Sequence, residues 1–301
     1  MTPWVHVHDR VAQALHTGEP VVALETAVAT HGLPAPHNIA AMAAMQDAVE
    51  ASGARPAMCL AHGGRLHVGA PLELVEEVAS SPRRVKASVR DLGHALVSSA
   101  PAGLTVSATL RAAHLAGIRV FATGGIGGVH LGAEVTGDVS ADLAQIAALR
   151  VLTVCSGAKS VLDIPRTLEH LESLGVPTYA FGSDTFPAFY LRSNGMPVPC
   201  LDSPAEAADI ARAHWALGLQ SGLVLGNPLP VDEAIAPEDW GRWLERAREE
   251  GAATGVCGTD VTPFLLARVA EHSDGQTVRA NMALLQRNAR LAGLIAPLLQ
   301  P

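Results

Sequence analysis

Short apolar runs alternate with longer, alanine-rich amphipathic segments along most of the chain. The short runs are rich in Val, Ile and Leu, as buried strands are, whereas glycine stops and Ser-x-x-acid starts are typical of helix ends. Strands are predicted at residues 21–24, 57–69 (a hairpin turning at Gly63-Gly64), 118–123, 151–155, 176–181 and 222–226. Helices are predicted at residues 36–52, 88–98, 106–116, 141–149, 165–174 and 203–217, with mainly three more from Pro237 onward.

The alternation of helix and strand predicts an α/β fold in layers, with a largely parallel sheet covered by helices on both faces. No segment rich in Pro, Gly or Ser divides the chain and no internal repeat is present, so a single domain over residues 1–301 is predicted. In such folds, ligands bind beyond the carboxyl ends of the strands. Polar segments follow four predicted strands directly, and they are Glu25-Thr26, residues 124–130, residues 156–159 and Asn227-Pro228.

Lysine is scarce in this chain: of the 21 lysine and arginine residues, only Lys86 and Lys159 are lysine. Arginine supplies positive charge equally well but cannot become a neutral amine. Lys159 lies in a predicted strand-to-helix turn, where a partly desolvated amine would be a nucleophile toward carbonyl-like carbon. The alternative is an ordinary surface lysine. Lys86 lies just before a predicted helix start, which suits a bound anion, or it is a solvated charge in the basic run 83–86.

Carboxylates and a histidine provide candidate acids and bases. Glu25 follows an apolar strand, where burial would raise its pKa and make it a proton donor, and His31 is a second candidate. Asp138, Ser140 and Asp142 surround a predicted helix start that could bind an anion, and Asp138 could hold a hard cation. The alternative for Glu25 is a purely structural residue at a strand end, and the alternative for Asp138, Ser140 and Asp142 is simple helix capping.

Other features narrow the class of protein. The stretch 124–128 is glycine-dense but matches neither the GxxxxGK(S/T) nor the GxGxxG nucleotide-binding motif. It therefore predicts a close-approach or flexible loop ending at His130. The net charge of −8 leaves no basic stripe for nucleic acid. The four cysteines form no CxxC motif, and neither a signal peptide nor a membrane-spanning run is recognisable. A cytoplasmic protein in a reducing compartment is therefore expected.

Several stretches together resemble the pseudouridine-5′-phosphate glycosidase family, which is related to indigoidine synthase A-like proteins. They are Val22-Ala-Leu-Glu-Thr26, Thr30-His-Gly-Leu-Pro34, residues 113–130, Asp138-Val-Ser-Ala-Asp-Leu143, residues 157–165, Phe186-Pro-Ala-Phe-Tyr190 and residues 260–268. The resemblance runs in order over nearly the whole chain. It implies a three-layer α/β/α subunit in a homotrimer, and reversible cleavage of pseudouridine 5′-phosphate to uracil and ribose 5-phosphate in nucleotide catabolism. It also implies a divalent cation, usually Mn²⁺.

The resemblance also implies roles for particular residues. Lys159 matches the nucleophile that forms a covalent adduct at C1′, and Glu25 matches the proton donor. The remaining matches are Lys86, Val106, Ser140, Ala141 and Asp142 for substrate binding and Asp138 for the metal, with His31, His130 and Asn281 as further candidates. Ala108 stands where the family usually has glycine, which could alter how closely the backbone approaches the substrate.

Two other functions stay open at this point. A different Schiff-base lyase or aldolase acting on a sugar phosphate would need the same lysine but no uracil pocket. A non-catalytic phosphosugar-binding accessory protein would need neither, although the joint presence of Lys159, Glu25 and Asp138 argues against it. In each case the expected partner is a small phosphorylated molecule rather than a nucleic acid polymer or a membrane.

Overall fold

The predicted strands in the middle of the chain form the centre of one large sheet. The computed structural model describes residues 2–256 and 261–300. Within them the strands are β1 (Val5–Val7), β2 (Val21–Leu24), β3 (Arg55–His62), β4 (Arg65–Val68), β5 (Val85–Ala87), β6 (Ala102–Leu104), β7 (Val120–Ala122), β8 (Leu152–Cys155), β9 (Thr178–Phe181), β10 (Cys200–Leu201) and β11 (Leu223–Gly226).

Helices lie at all of the predicted positions and at others besides. They are α1 (Asp9–Thr17), α2 (His37–Ala51), α3 (Leu72–Ser80), α4 (Leu92–Val97), α5 (Val106–Ala116), α6 (Ala133–Thr136), α7 (Ala141–Ala148), α8 (Ile164–Ser173), α9 (Pro204–Ala216), α10 (Pro237–Thr254), α11 (Val261–His272) and α12 (Gln276–Ile295). Gly117 ends α5 in the left-handed conformation, as its sequence position predicts. The Ser88–Asp91 capping box is present as well, although a short 3₁₀ turn precedes α4.

The strand order in the sheet is β1-β4-β3-β2-β7-β8-β11-β9-β10, with β6 paired to β3 and β5 paired to β6. Most neighbours are parallel, and the antiparallel pairs are β3 with β4 and β3 with β6. The second half of β3 carries these antiparallel neighbours, while its first half pairs with β2. The prediction of a three-layer α/β/α fold with a largely parallel sheet is confirmed.

Helices cover both faces of this sheet. The long helix α12 packs against α2, α9 and the central strands β2, β7 and β8, while α5 packs against α7 and against β2 and β3. The buried alanines of α5 and α12 let these helices lie close to their neighbours. The α10–α11 pair packs at the outside against α12.

Some elements were not predicted from the sequence. The first strand and helix, helices α3 and α6 and the short strands β5, β6 and β10 fall in stretches whose hydrophobic pattern is brief or irregular. A π-helix at Val28–Gly32 follows β2. Among the described helices, none combines the length and apolar character that crossing a membrane requires. The thiols of Cys59, Cys155 and Cys200 are free, and Cys257 lies outside the described residues.

Candidate active site

The polar segments that follow four strands meet at one edge of the sheet, as predicted. Strands β2, β7, β8 and β11 are parallel neighbours, with Leu24 opposite Ala122 and Cys155 opposite Gly226. Glu25, Thr123, Ser156 and Asn227 therefore begin their loops side by side. This is the edge at which α/β proteins of this kind bind ligands.

Glu25 lies buried at this edge. The hydroxyl of Thr123 donates a hydrogen bond to its carboxyl group. Burial raises the pKa of Glu25, although the positive charges of Lys159 and Lys86 and the Thr123 hydrogen bond act in the opposite direction. The pKa of Glu25 is therefore shifted in the direction that the sequence predicts for a proton donor.

Both lysines of the chain lie close enough to Glu25 to affect its ionisation. Lys159 is half-buried in the loop after β8, and its backbone N–H donates to the carbonyl of Ile126 over 3.1 Å. Lys86 lies on β5 and is an exposed residue. The protein around its amine nevertheless lowers its pKa, and the charge of Lys159 lowers it further. The structure thus brings together the two scarce lysines and the buried carboxyl.

The glycine-dense loop is a close-approach loop, and its residues are buried rather than exposed. A Cβ atom on Gly127 would lie 2.3 Å from the hydroxyl of Ser140 and 2.8 Å from the carboxylate of Asp142. In the lysine loop, a Cβ atom on Gly157 would lie only 1.8 Å from the carbonyl oxygen of Pro187. These glycines let three backbone segments meet around Lys159.

Asp142 holds this arrangement in place. One carboxylate oxygen accepts the N–H of Ser107 and the other accepts the N–H of Gly127, each over 2.8 Å. Ser140 caps α7, as predicted, by accepting the N–H of Asp142. Because both oxygens of Asp142 already accept backbone hydrogen bonds, its side chain positions the glycine loop and the start of α5.

The remaining predicted substrate-binding residues lie at helix starts. Val106 is the first residue of α5 and is buried, so its backbone is the part that can face a ligand. Ala141 is the first residue of α7 and is half-buried. The methyl group of Ala108 is fully buried, so the departure from glycine is accommodated inside the protein.

A positively charged group lies beside Lys86. Arg84 donates from Nε to the carbonyl oxygen of Thr30 over 3.0 Å. His31, exposed at the end of the π-helix, contacts the Thr30 hydroxyl through Nδ1 at 2.8 Å. Partial burial lowers the pKa of His31, and the charges of Arg84 and Lys86 lower it further. Short π-helical turns are frequent at functional sites, and this one brings His31 next to Arg84 and Lys86.

Asp138 and His130 form a separate pair on the loop before α7. The Asp138 carboxylate is exposed and lies 3.9 Å from His130 Nδ1. The backbone N–H of His130 donates to the backbone carbonyl of Asp138 over 3.0 Å. Within the residues that the structure describes, Asp138 belongs to no cluster of three or more ligand side chains.

Sequence reasoning missed Asn288, a buried residue of α12 that ties three strand ends together. Its side-chain N–H groups donate to the carbonyl of Thr123 over 2.8 Å and to the hydroxyl of Ser156 over 3.1 Å. Its side-chain oxygen accepts from Asn227 over 3.0 Å. The sequence carries a signal for it, because an asparagine on the apolar face of a helix needs buried polar partners.

The candidate Asn281 lies two turns earlier on the same helix and is also buried. It is hydrogen-bonded to the hydroxyl of Tyr190, whose pKa is raised by burial. The neighbouring Phe189 adopts a positive φ of 62° and packs against Gly124 and Gly125. A non-glycine residue in this conformation is strained, and such strain is concentrated at functional sites. The predicted motif 186–190 therefore forms part of the wall beside the lysine loop.

Fold and site together define an α/β protein with an amine and a buried carboxyl of raised pKa at the carboxyl edge of a parallel sheet. The chain belongs to the indigoidine synthase A-like family, whose description is "Indigoidine synthase A like protein" and which matches residues 10–297. A relative from Solibacter usitatus named pseudouridine-5′-phosphate glycosidase is 45% identical over 295 residues, covering 98% of this chain and 99% of its own. A relative of the same name from Caldanaerobacter subterraneus is 42% identical and covers 98% and 97%.

Two solved structures have the same fold. The prealnumycin C-glycosynthase AlnA, in complex with ribulose 5-phosphate, superposes with a TM-score of 0.91 at 35% identity, covering 99% of this chain and 98% of that one. An indigoidine synthase A-like protein from Thermotoga maritima superposes with a TM-score of 0.89 at 34% identity, covering 98% and 97%. The resemblance inferred from the sequence motifs is confirmed.

Proposed function

We propose that this protein is a pseudouridine-5′-phosphate glycosidase that cleaves the C–C bond between uracil and ribose through a covalent adduct on Lys159. The observation that carries the proposal is the meeting of Lys159, Lys86 and the buried Glu25 at the carboxyl edge of the sheet. The names of the relatives from Solibacter usitatus and Caldanaerobacter subterraneus support the same activity.

A carbon–carbon bond explains why an amine is needed. Protonation of a leaving oxygen or nitrogen cannot break this bond, so the ribose ring first opens, with the C1′–O bond electrons leaving on the ring oxygen. C1′ is then electrophilic through conjugation with uracil, and the neutral amine of Lys159 adds to it. Arginine could not replace this lysine, because the guanidinium stays charged.

Bond cleavage follows from protonation of the base. Glu25 donates its proton to uracil C5, the C1′–C5 bond breaks, and its electrons return to the uracil ring while the nitrogen lone pair forms C=N. Water hydrolyses the imine, which releases ribose 5-phosphate and restores the amine. One water is consumed for each uracil released. The raised pKa of Glu25 is in the direction that this step needs, because only the protonated carboxyl can donate.

The substrate phosphate would be met locally, since the chain as a whole is acidic. Lys86, Arg84 and His31 supply nearby donors, and the start of α5 at Val106 supplies backbone N–H groups. The binding roles of Ser140, Ala141 and Asp142 belong to the same proposal, with Asp142 acting through the loop that it holds.

We place the divalent cation, Mn²⁺ by resemblance, at Asp138. An exposed carboxylate beside the imidazole of His130 suits a hard cation whose other ligands are mostly water and substrate phosphate oxygens. When bound, the ion would supply positive charge for an anionic substrate. The protein residues perform the proton transfer and the addition.

We also propose a homotrimer. Leu131 and Val135, in the segment between β7 and α7 that carries Asp138, are 54% and 87% exposed, and exposed apolar side chains of this kind are often covered by a partner subunit. Size-exclusion chromatography with light scattering tests this proposal, and a mass of one chain in solution would contradict it.

A second candidate is favoured by the solved structure of AlnA, whose name describes a C-glycosynthase and which holds ribulose 5-phosphate. The same lysine chemistry run in reverse would join a pentose phosphate to an acceptor other than uracil. This candidate predicts C–C bond formation with such an acceptor and no uracil release.

Uracil release from pseudouridine 5′-phosphate, followed by chromatography with and without Mn²⁺, tests the proposal. We expect turnover by the wild type and none by Lys159→Arg, which keeps the charge but loses the nucleophile. Lys159→Ala should behave in the same way while remaining folded by circular dichroism. Full activity of either variant would exclude the adduct, whereas an inactive wild type would direct attention to the C-glycosynthase candidate.

A further inference from the structure

Three histidines gather at the sheet edge formed by β1 and β4, and none of them has a part in the proposed reaction. Strands β1 and β4 are parallel with His6 opposite His67. His8 follows His6 by two residues, so the alternation of a strand places both on the same side. The ring centroid of His8 lies 4.5 Å from that of His6 and 5.3 Å from that of His67.

The distances suit a single metal ion. One ring nitrogen from each of His6, His8 and His67 lies within 4.8 Å of the others, and His8 Nε2 lies 3.0 Å from His67 Nδ1. Three nitrogens bound to zinc with tetrahedral angles stand roughly 3.3 Å apart. Small side-chain rotations would therefore bring all three nitrogens to bonding distance.

The hydrogen bonds fix which nitrogen of His67 is free to bind. His67 Nε2 lies 3.1 Å from the carbonyl oxygen of His62. A carbonyl only accepts, so the proton is on Nε2 and the lone pair of Nδ1 points toward His8. Histidine ligands of metals are commonly oriented in this way, with the second nitrogen donating to a backbone carbonyl or a carboxylate.

Burial also favours the neutral, metal-binding form of two of the three imidazole rings. Burial lowers the pKa of His67 to about 4, and burial together with the charge of His6 lowers the pKa of His8. The acidic groups nearby are Asp9, which acts on His8 in the opposite direction, and Glu77, which pairs with His62 over 3.4 Å. Neutral imidazoles bind a cation without first releasing a proton to solvent.

We propose that His6, His8 and His67 bind one Zn²⁺ ion, with water completing the coordination. Imidazole ligands suit zinc, whereas Mn²⁺ prefers carboxylate, carbonyl and water oxygens, so this site is chemically distinct from Asp138. The ion would connect the amino-terminal strand to β4 through side chains as well as backbone hydrogen bonds. Its expected consequence is a β1 strand that detaches less readily from the sheet.

Isothermal titration with Zn²⁺ at neutral pH tests the site, using the whole chain and the variants His6→Gln, His8→Ala and His67→Ala. The matched control is His16→Ala, an exposed histidine on α1 outside the cluster. We expect one ion per chain in the wild type and the control. Each cluster variant should bind at least about tenfold more weakly, because loss even of an outer partner of a ligand costs that much.

Two further measurements separate a site from a merely structural cluster. Co²⁺ in place of Zn²⁺ should give the intense visible absorption of a tetrahedral complex in the wild type and not in His6→Gln, and melting without metal should show that the variants are folded. Unchanged zinc affinity in all three variants would overturn the proposal. So would displacement of the Zn²⁺ by Mn²⁺ at equal concentration, or loss of zinc binding in Asp138→Asn.

Discussion

Glu25 lies inside the protein near two ammonium groups, and burial still outweighs both charges in setting its pKa. A charged carboxylate would be expected beside lysines on the surface, so the depth of the site decides the outcome. Lys86 shows the complementary effect, since protein mass and a neighbouring amine both lower its pKa. Burial thus shifts Glu25 and Lys86 toward their neutral forms, and the protonated form of Glu25 is the one that the proposed reaction uses.

Glu25→Gln should reduce uracil release by about 10²- to 10⁴-fold, the usual contribution of a general acid. Glutamine keeps an oxygen that can accept the Thr123 hydrogen bond but has no proton to give. In the wild type, activity should fall as pH rises through the raised pKa of Glu25, because the protonated form is the active one. A pH–rate profile checks this, and an alkaline limb that persists in the residual activity of Glu25→Gln would belong to another group.

The same residue makes a prediction about stability. A raised carboxyl pKa in the folded state stabilises the protein fully below the unfolded value, near 4.5, and this contribution is lost as pH rises through the folded pKa. Glutamine does not ionise, so Glu25→Gln removes this pH-dependent loss of stability. The free energy of unfolding of the variant, measured with urea, should therefore equal or exceed that of the wild type at alkaline pH. A variant that loses more stability than the wild type between mildly acidic and alkaline pH would contradict the direction of the shift.

At the scale of elements, the loop after β8 depends on one glycine. Gly157 has φ +77° and meets the Pro187 carbonyl, whereas Gly175 has φ +67° and no atom within 4 Å of the place that a Cβ would occupy. Gly175→Ala should cost about 1–2 kcal/mol for the left-handed conformation alone. Gly157→Ala should cost clearly more and abolish uracil release, because the backbone carrying Lys159 must move. Equal losses of stability in urea unfolding would show that the close approach is unimportant.

Helix α12 contributes to the site through Asn288. Asn288→Asp keeps the shape but removes the donors to Thr123 and Ser156, leaving buried acceptors unpaired at about 1–3 kcal/mol. Uracil release should fall as well, since the ends of β7 and β8 are no longer held together. Gln286→Ala, at an exposed position of the same helix, is the control and should change the free energy of unfolding by less than about 0.5 kcal/mol. An Asn288→Asp variant as stable as this control would refute the role.

Elements with a long or clean pattern could be predicted from sequence, and short ones could not. Helix α5 has its predicted bounds, and Gly117 ends it as the sequence indicates. Strands β5 and β6 have three residues each and exist because they pair with each other and β6 pairs with β3, which no local pattern reveals. Lys86 lies two residues before the capped helix start at Ser88, as predicted, but its place on β5, which puts its amine near Glu25 and Lys159, could not be predicted for the same reason.

At the scale of the molecule, the site is assembled from strands far apart in sequence. The order β2-β7-β8-β11 brings residues 25, 123, 156 and 227 to one edge. Parallel pairing made their meeting predictable, because the carboxyl ends of neighbouring parallel strands coincide. The tie through Asn288 was not predictable in the same way, since it depends on how a carboxyl-terminal helix lies across the sheet.

The scarcity of lysine over the whole chain permits one decisive measurement. Borohydride reduction in the presence of ribose 5-phosphate should fix the imine, and with Lys86 and Lys159 as the only lysines a peptide map can assign the adduct without ambiguity. We expect one reduced pentose phosphate per chain, on Lys159. Lys159→Arg should carry none, while Lys86→Arg should still be labelled at Lys159, more weakly if Lys86 binds the substrate. Labelling at Lys86, or at the amino terminus alone, would remove Lys159 as the nucleophile even if the protein released uracil.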